Sequence, residues 1–310
     1  MNPIFSVFTP VYNRKNVINR VFNSLIKQTF TQFEWIVVDD GSSDNVKELI
    51  DEYAINCSFR IIFLRQNDNK GKHFAWNIAL DHAVGELFVP ADSDDEFDPD
   101  TLEFFFNKWN ELNFQDRVKY SGINVLCKSN EGVIVGDKYP YDGFISNNLD
   151  LYYKYRINGE KWGCIRTDLL RQYRLPEIIG RGSYIMNYIW FSIAKSHSVL
   201  CYNKALRVYH RDVQGIANTQ INFFKRIEKS SFVWQHYLTW HLNNNIFYML
   251  RYRPTEFLKA LIYLPLYGLA SGMGIFRLMS QIKSYPVKFL LLLSFPFSGL
   301  IFLLYKNVKK

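Results

Sequence analysis

Four times in the first hundred residues a short apolar run ends in a polar or acidic cluster. Three of those clusters lead into a stretch with helical spacing. Phe5–Thr9 runs into Pro10-Val11-Tyr12-Asn13-Arg14 and then into Asn16–Gln28. Phe33–Val38 runs into Asp39-Asp40-Gly41-Ser42-Ser43-Asp44 and then into Val46–Tyr53. Phe59–Arg65 leads through Asn69-Lys70-Gly71-Lys72 to His73–Ala83, and Glu86–Pro90 ends in Asp92-Ser93-Asp94-Asp95. Runs this short suit strands, and the alternation with amphipathic helices predicts an α/β fold. Its core is a mostly parallel twisted sheet with helices on both faces. Ligands of such sheets bind at the carboxyl ends of the strands, where all four clusters fall.

The remainder reads differently. Residues 101–215 mix short strands (Tyr120–Leu126, Val199–Tyr202) with helical stretches (Leu102–Leu112, Arg166–Tyr173, Met186–Ser196). From about residue 216 the chain is helix after helix. Two uncharged runs of 17 residues, Ala260–Phe276 and Phe289–Tyr305, lie near its end. That length is at the lower limit for crossing a bilayer, and Pro and Gly interrupt both runs.

Charge separates the same two regions. The net charge is +8, and the segment from Arg251 onward holds nine Lys or Arg against one acid, Glu256, so residues 1–250 balance at zero. A basic, apolar tail points to an anionic membrane surface, and a neutral body argues against nucleic acid as a partner. Basic residues flank both apolar runs. A spanning hairpin would therefore leave positive charge outside. Helices lying in or dipping into the cytoplasmic leaflet avoid that conflict, and a buried soluble helical layer is the other option. No cationic leader precedes the first apolar run, so the amino-terminal part is expected in the cytosol. Four scattered cysteines without a CxxC pair fit reduced thiols.

Each cluster has a chemical and an ordinary reading. Carboxylates one residue apart, as in Asp92 and Asp94, suit a hard divalent cation shared with a diphosphate, but acids also favour turns and helix starts. Asp40 can accept a hydrogen bond from a nucleobase N–H, or the cluster is simply a turn with a helix cap. Tyr12 can offer its ring to a base or belong to the core. Lys72, at a helix start, can meet a phosphate with help from free backbone N–H groups, or be an exposed basic turn. The spacing is not that of a P-loop.

In this order, TPVYNR, VVDDGSSD, NDNKGKHFAWNIAL and ADSDD resemble the family 2 glycosyltransferases, inverting enzymes of GT-A fold. The match is good over residues 1–110, fainter over 160–215 and weak beyond. The resemblance implies a GT-A domain over 1–215, with a nucleotide-binding half (1–100) and an acceptor half (101–215). A helical, membrane-associated region follows over 216–310. It implies a UDP-sugar donor, Mn2+ or Mg2+ as cofactor, and a hydroxyl of a glycan or lipid-linked saccharide as acceptor. Cell-surface polysaccharide synthesis at the cytoplasmic face of the membrane is the setting it suggests. Pro10 and Tyr12 correspond to the segment that contacts uracil, Asp40 to the acid that reads its ring, and Lys72 to a basic residue near the donor. Asp92, Ser93 and Asp94 correspond to the DxD motif, with Asp92 toward the ribose and Asp94 toward the metal.

The chain departs from the family where the catalytic base is expected. Relatives carry an acid a turn before a helix tryptophan. Here Ile185-Met186-Asn187-Tyr188-Ile189-Trp190 puts Met186 in that place. Glu177 is the nearest upstream acid and the preferred base, with Asp168 earlier in the chain. His210 is a candidate metal ligand, Arg211 faces phosphate or solvent, and Trp162 packs on an acceptor sugar or in the core. The missing acid also leaves open a non-catalytic nucleotide-sugar-binding partner of a glycan assembly complex. A nucleotidyltransferase on a related sheet is a second alternative.

Overall fold

A computed structural model of the protein describes residues 2–178, 185–210 and 223–308. The amino-terminal elements are β1 (Phe5–Val11), α1 (Asn19–Ile26), β2 (Phe33–Asp39), α2 (Val46–Ile55), β3 (Arg60–Arg65), α3 (Lys72–His82) and β4 (Leu87–Pro90). Then come β5 (Glu96–Phe97), α4 (Thr101–Asn110), α5 (Phe114–Arg117), β6 (Tyr120–Lys128), β7 (Phe144–Ser146) and α6 (Asn148–Tyr153). They are followed by β8 (Lys161–Arg166), α7 (Thr167–Gln172), α8 (Asn187–Ile193) and β9 (Ser198–Val208). The last elements are α9 (Phe223–Tyr252), α10 (Pro254–Ala270), α11 (Ile275–Ser280) and α12 (Tyr285–Val308).

The strands form one sheet in the order β3-β2-β1-β4-β8-β6-β9-β5, with β7 also on β9. The first four strands are parallel throughout, as the alternating pattern predicts. Beyond β4 the sheet is mixed: β8 is antiparallel to both β4 and β6, while β9 runs parallel to β6. No helical crossover separates β6 from β7 or β4 from β5, so the rule that makes β1–β4 parallel does not extend there. Strand β2 is buried along its whole length, as a strand covered on both faces should be. A core of Phe5, Val7, Trp35, Val37, Leu87, Val89, Phe105 and Trp109 fills one face.

Strand β8 carries a packing constraint. Gly163 pairs with Asn124 of β6, and a Cβ added there would sit 1.8 Å from the Ile123 carbonyl oxygen. Gly122, at φ +152°, has the same relation to Cys164 O, at 2.0 Å. The two strands approach so closely that only glycine fits.

The chain divides into two compact units, Met1–Glu177 with Ile189–Asn218, and Ile178–Tyr188 with Thr219–Lys310. The second holds α9–α12. Its first apolar run is broken: α10 ends at Ala270, Gly272 takes φ +78°, and α11 begins at Ile275. The second run lies inside the continuous α12. Among the described residues, its segment Tyr285–Asn307 is the one helix long and apolar enough to cross a membrane, by length and composition. Helices α10 and α12 meet through small hydroxyls: Ser294 Oγ donates to Leu261 O and Ser298 Oγ to Ile262 O, both at 2.7 Å. All four cysteines are free.

Candidate active site

Parallel register decides where the polar clusters meet. Val11, Asp39 and Arg65 lie side by side across β1, β2 and β3, and Pro90 sits beside Phe8. The loops that follow these positions therefore emerge at one edge of the sheet. Pro10, Tyr12, Asp40, Lys72 and the turn Asp92–Asp95 are all carried by that edge.

The first two loops are stitched together. Asn13, in the left-handed region at φ +51°, donates its N–H to Ser42 Oγ at 2.9 Å and accepts the Ser43 N–H at Oδ1 at 2.8 Å. The Lys15 N–H donates to Asp44 at 2.8 Å. Asp39 is fully buried and accepts the Ser42 N–H at 2.8 Å, with Arg65 Nε 3.5 Å away. Tyr12 projects from this frame with 46% of its surface exposed. It is therefore not a core aromatic.

Asp40 binds the third loop. Its Oδ1 accepts from Gln66 Nε2 at 2.7 Å and from the Lys70 N–H at 2.8 Å, and its Oδ2 accepts the Gly71 N–H at 2.7 Å. Burial pushes its pKa up, and the two backbone N–H groups pull against that rise. The Lys70 and Gly71 amides just before α3 are thus taken by Asp40.

The lysine that opens α3 reaches across to the fourth loop, where Lys72 Nζ pairs with Asp92 Oδ1. Arg207 of β9 approaches Asp92 from the other side, at 3.9 Å. Burial works against the charged form of Asp92, yet Lys72, Arg207 and Arg14 outweigh it and its pKa is lowered. Asp94 lies 3.9 Å from Arg14 Nη1. Ser93 is buried inside the turn. Asp95 is buried against Arg207, 2.7 Å away. Desolvation leads the forces that push its pKa up, to about 7. Arg207 and Asp95 escaped the sequence reading. They lie 112 residues apart, so no local spacing joins them; the third acid of the turn was the only signal.

Glu177 is held at the side of α3. Asn77 Nδ2 donates to its Oε1 at 3.0 Å, and Arg174 lies 3.9 Å away. Asn77 is itself buried and bound at both ends, accepting the Leu175 N–H at 3.2 Å and donating to Leu175 O at 2.9 Å. The carboxylate is about half exposed. It therefore stands five residues along the helix that starts with Lys72. Asp168 instead pairs with Arg166 on the surface. Met186 belongs to the second unit, while Trp190 belongs to the first.

Trp162 is 5% exposed, packs on Phe97 and Phe105, and donates its indole N–H to Pro90 O. It is a core residue whose edge lines a cavity of about 120 Å³ with Asn124, Asn148, Lys161 and Trp190. His210 lies with Nε2 3.2 Å from Glu96 Oε1. Arg211 falls outside the described residues. Among the described residues, no three or more His, Cys, Asp and Glu side chains gather as a metal cluster. Two hard carboxylates on one turn still fit a divalent ion that takes its other ligands from a diphosphate and water.

The model of the family described as Glycosyl transferase family 2 matches residues 6–174. TuaG of Bacillus subtilis, named for teichuronic acid biosynthesis, is 27% identical over 239 residues, covering 75% of this chain and 88% of TuaG. The poly(ribitol-phosphate) beta-N-acetylglucosaminyltransferase TarS of Staphylococcus aureus is 38% identical over 101 residues. That match covers 32% of this chain and only 18% of TarS. Residues 1–349 of TarS, solved with UDP-GlcNAc, superpose with a TM-score of 0.55 at 20% identity, over 91% of this chain and 84% of that one. A Pyrobaculum calidifontis mannosyltransferase solved with GDP-Man and Mn2+ gives 0.54 at 18% identity, over 99% and 83%. At these identities the superpositions establish the GT-A fold.

Proposed function

The chain belongs to glycosyl transferase family 2, and from that membership we propose that it moves a sugar, with inversion, from a UDP-sugar to a hydroxyl of a glycan or lipid-linked acceptor in cell-surface polysaccharide synthesis. The observation that carries this reading is the convergence of the four loops after β1–β4 at one edge of the parallel strands, where Lys72 bridges to Asp92. The names of TuaG and TarS support the setting, and the UDP-GlcNAc bound to TarS supports the donor.

In this reading Pro10 and the exposed Tyr12 ring contact the uracil face. Asp40 Oδ2, which carries one hydrogen bond, accepts the imide N–H. Asp92 meets the ribose. Asp94 and His210 would hold Mn2+ or Mg2+. A cation there supplies neutralisation of the charge that builds on departing UDP. Lys72 and Arg14 add fixed positive charge at the same edge.

The acceptor hydroxyl forms a bond to the anomeric carbon from the face opposite UDP. The bond from that carbon to the diphosphate oxygen breaks, and its electron pair leaves with UDP. The hydroxyl proton passes to Glu177. Asn77 orients that carboxylate, so Glu177 fills the role that Met186 cannot. The apolar α12, with Arg277, Lys283, Lys288 and Lys306 around it, places the enzyme on the cytoplasmic leaflet.

Calorimetric titration with UDP, GDP, CDP and ADP, with and without Mn2+, tests the reading. Selective UDP binding strengthened by Mn2+ is expected. Equal binding of all four nucleotides, or of none, overturns it. Pyrophosphate release from UTP would instead favour nucleotidyl transfer.

A further inference from the structure

The acids of the turn after β4 are not equivalent. Asp95 Oδ2 accepts the Asp92 N–H at 2.9 Å, and the Asp95 N–H donates to Asp92 O at 2.9 Å. These two bonds close the turn on itself. The remaining oxygen, Oδ1, lies 2.7 Å from Arg207 Nη2. Both side chains are at least nine-tenths buried. Arg207 comes from the far side of the sheet order, where β9 pairs with β5 and Arg207 stands opposite Phe97. Its guanidinium also faces Asp92 at 3.9 Å and Glu160 at 4.0 Å, with the Tyr209 ring 5.6 Å away.

We propose that Arg207 is a positioning residue of the nucleotide site. It clamps Asp95, which holds the turn closed, so that Asp92 and Asp94 present their oxygens to the ligand while Asp95 touches none. The proposal rests on reading this edge as a nucleoside-diphosphate site. Its physical basis is the cost of a buried charge that loses its partner. Arg207→Met strands the Asp95 carboxylate in a dry turn, which drives it to turn outward toward water and so breaks its bond to the Asp92 amide. Asp95→Asn keeps a carbonyl oxygen for that amide and needs no cation. The double variant should therefore keep the turn closed. A guanidinium that contacted the diphosphate itself would be missing from both variants alike.

The full chain is titrated with UDP in Mn2+ as wild type, Arg207→Met, Asp95→Asn and the double variant, and each protein is melted without ligand. Arg207→Met is expected to weaken UDP about tenfold or more, with the double variant within about threefold of wild type. The melting temperature should fall in Arg207→Met and recover in the double variant. Equal loss of UDP affinity in single and double variants overturns the proposal in favour of direct ligand contact. A lowered melting temperature with unchanged UDP affinity overturns it in favour of a purely structural pair. If wild type binds no UDP, the nucleotide reading fails and takes the positioning role with it. The order of the melting temperatures then still decides whether the clamp exists.

Discussion

In the first unit, buried carboxylates meet specific polar partners. Asp95 meets Arg207, Asp40 meets two loop amides, and Asp39 meets the Ser42 N–H. In the helical unit the arrangement is reversed. Phe276, Phe289, Phe297, Leu300 and Leu303 face outward, at 59–86% exposure. Gln235, Thr239, His241, Asn245 and Ser298 are buried. Gln235 donates to Thr239 and to Gln281, and Asn243 binds Gln281 O and the Lys283 N–H. The polar side chains there tie helices and the loop before α12 together. Apolar side chains such as Leu242, Leu264 and Leu291 pack inside, while those on the outer side of α12 are left for an outside neighbour. One unit is organised around preorganised charge in a dry turn. The other ties its helices together with buried polar side chains and leaves an apolar side of α12 exposed.

The comparison breaks most sharply at the β6–β8 crossing, because only the first unit depends on it. Gly163→Ala puts a Cβ 1.8 Å from a backbone oxygen that cannot move without parting two strands. A loss of more than about 4 kcal/mol is expected, enough to unfold the first unit. Circular dichroism should report lost strand signal, with only the helical signal of α9–α12 retained. A melting temperature within a few degrees of wild type would show that the sheet yields.

Chemistry sharpens the contrast next, since every assigned polar role lies in the first unit. Asp94→Ala should lower turnover about 10³-fold by removing charge control of the leaving group. Glu177→Gln should lower it about 10²-fold, with UDP affinity intact, if its carboxylate takes the acceptor proton. Equal turnover in the Gln variant returns Glu177 to bracing the loop through Asn77 and Arg174.

The outward apolar face gives the third test. Leu293→Gln, Phe297→Gln and Leu300→Gln together remove apolar area from α12 without touching its packed face. Vesicle co-flotation with anionic lipid should fall by tenfold or more, each lost side chain being worth about 1.5–3 kcal/mol when buried. UDP binding should stay the same. Unchanged flotation would assign membrane attachment to the basic residues alone.

How much of this was legible depends on how local the determinants are. β1–β4 were readable because each strand, cluster and helix follows the last within thirty residues and repeats one hydrophobic alternation. β8 was not, since Lys161–Arg166 holds Trp, Gly and Cys in a run without period two, and Gly163 is explained only by the carbonyl of a strand forty residues earlier. The four site loops could be named in advance because their strands end in polar residues. The cations that balance them were harder. Lys72 lies inside a quoted motif, but Arg207 reads as one basic residue in an ordinary strand, Ala205-Leu206-Arg207-Val208. Asp40 could be picked out as an acid without any sign that loop amides already occupy it. Helix α12 begins at Tyr285, before the uncharged run, because Lys288 does not interrupt helical hydrogen bonding.

The smallest expected effect concerns Lys72, and acid sharpens it. Pairing with Lys72 and Arg207 lowers the Asp92 pKa in the folded protein against the pull of burial. An acid depressed in this way adds stability above its unfolded pKa, about 3.9, and loses that addition as pH falls through the lower folded value. Lys72→Met removes one partner. At pH 7 the variant should melt below wild type by roughly 2 °C, since the pair is partly exposed and worth under about 1 kcal/mol. The gap should begin to close as pH falls below about 4 and should vanish once pH passes the lowered folded pKa of Asp92. A gap that persists after Asp92 is protonated in both proteins would mean that Lys72 stabilises the α3 start through its methylene stem rather than its charge. The charge matching at the Asp92–Asp95 turn would then rest on Arg207 and Arg14.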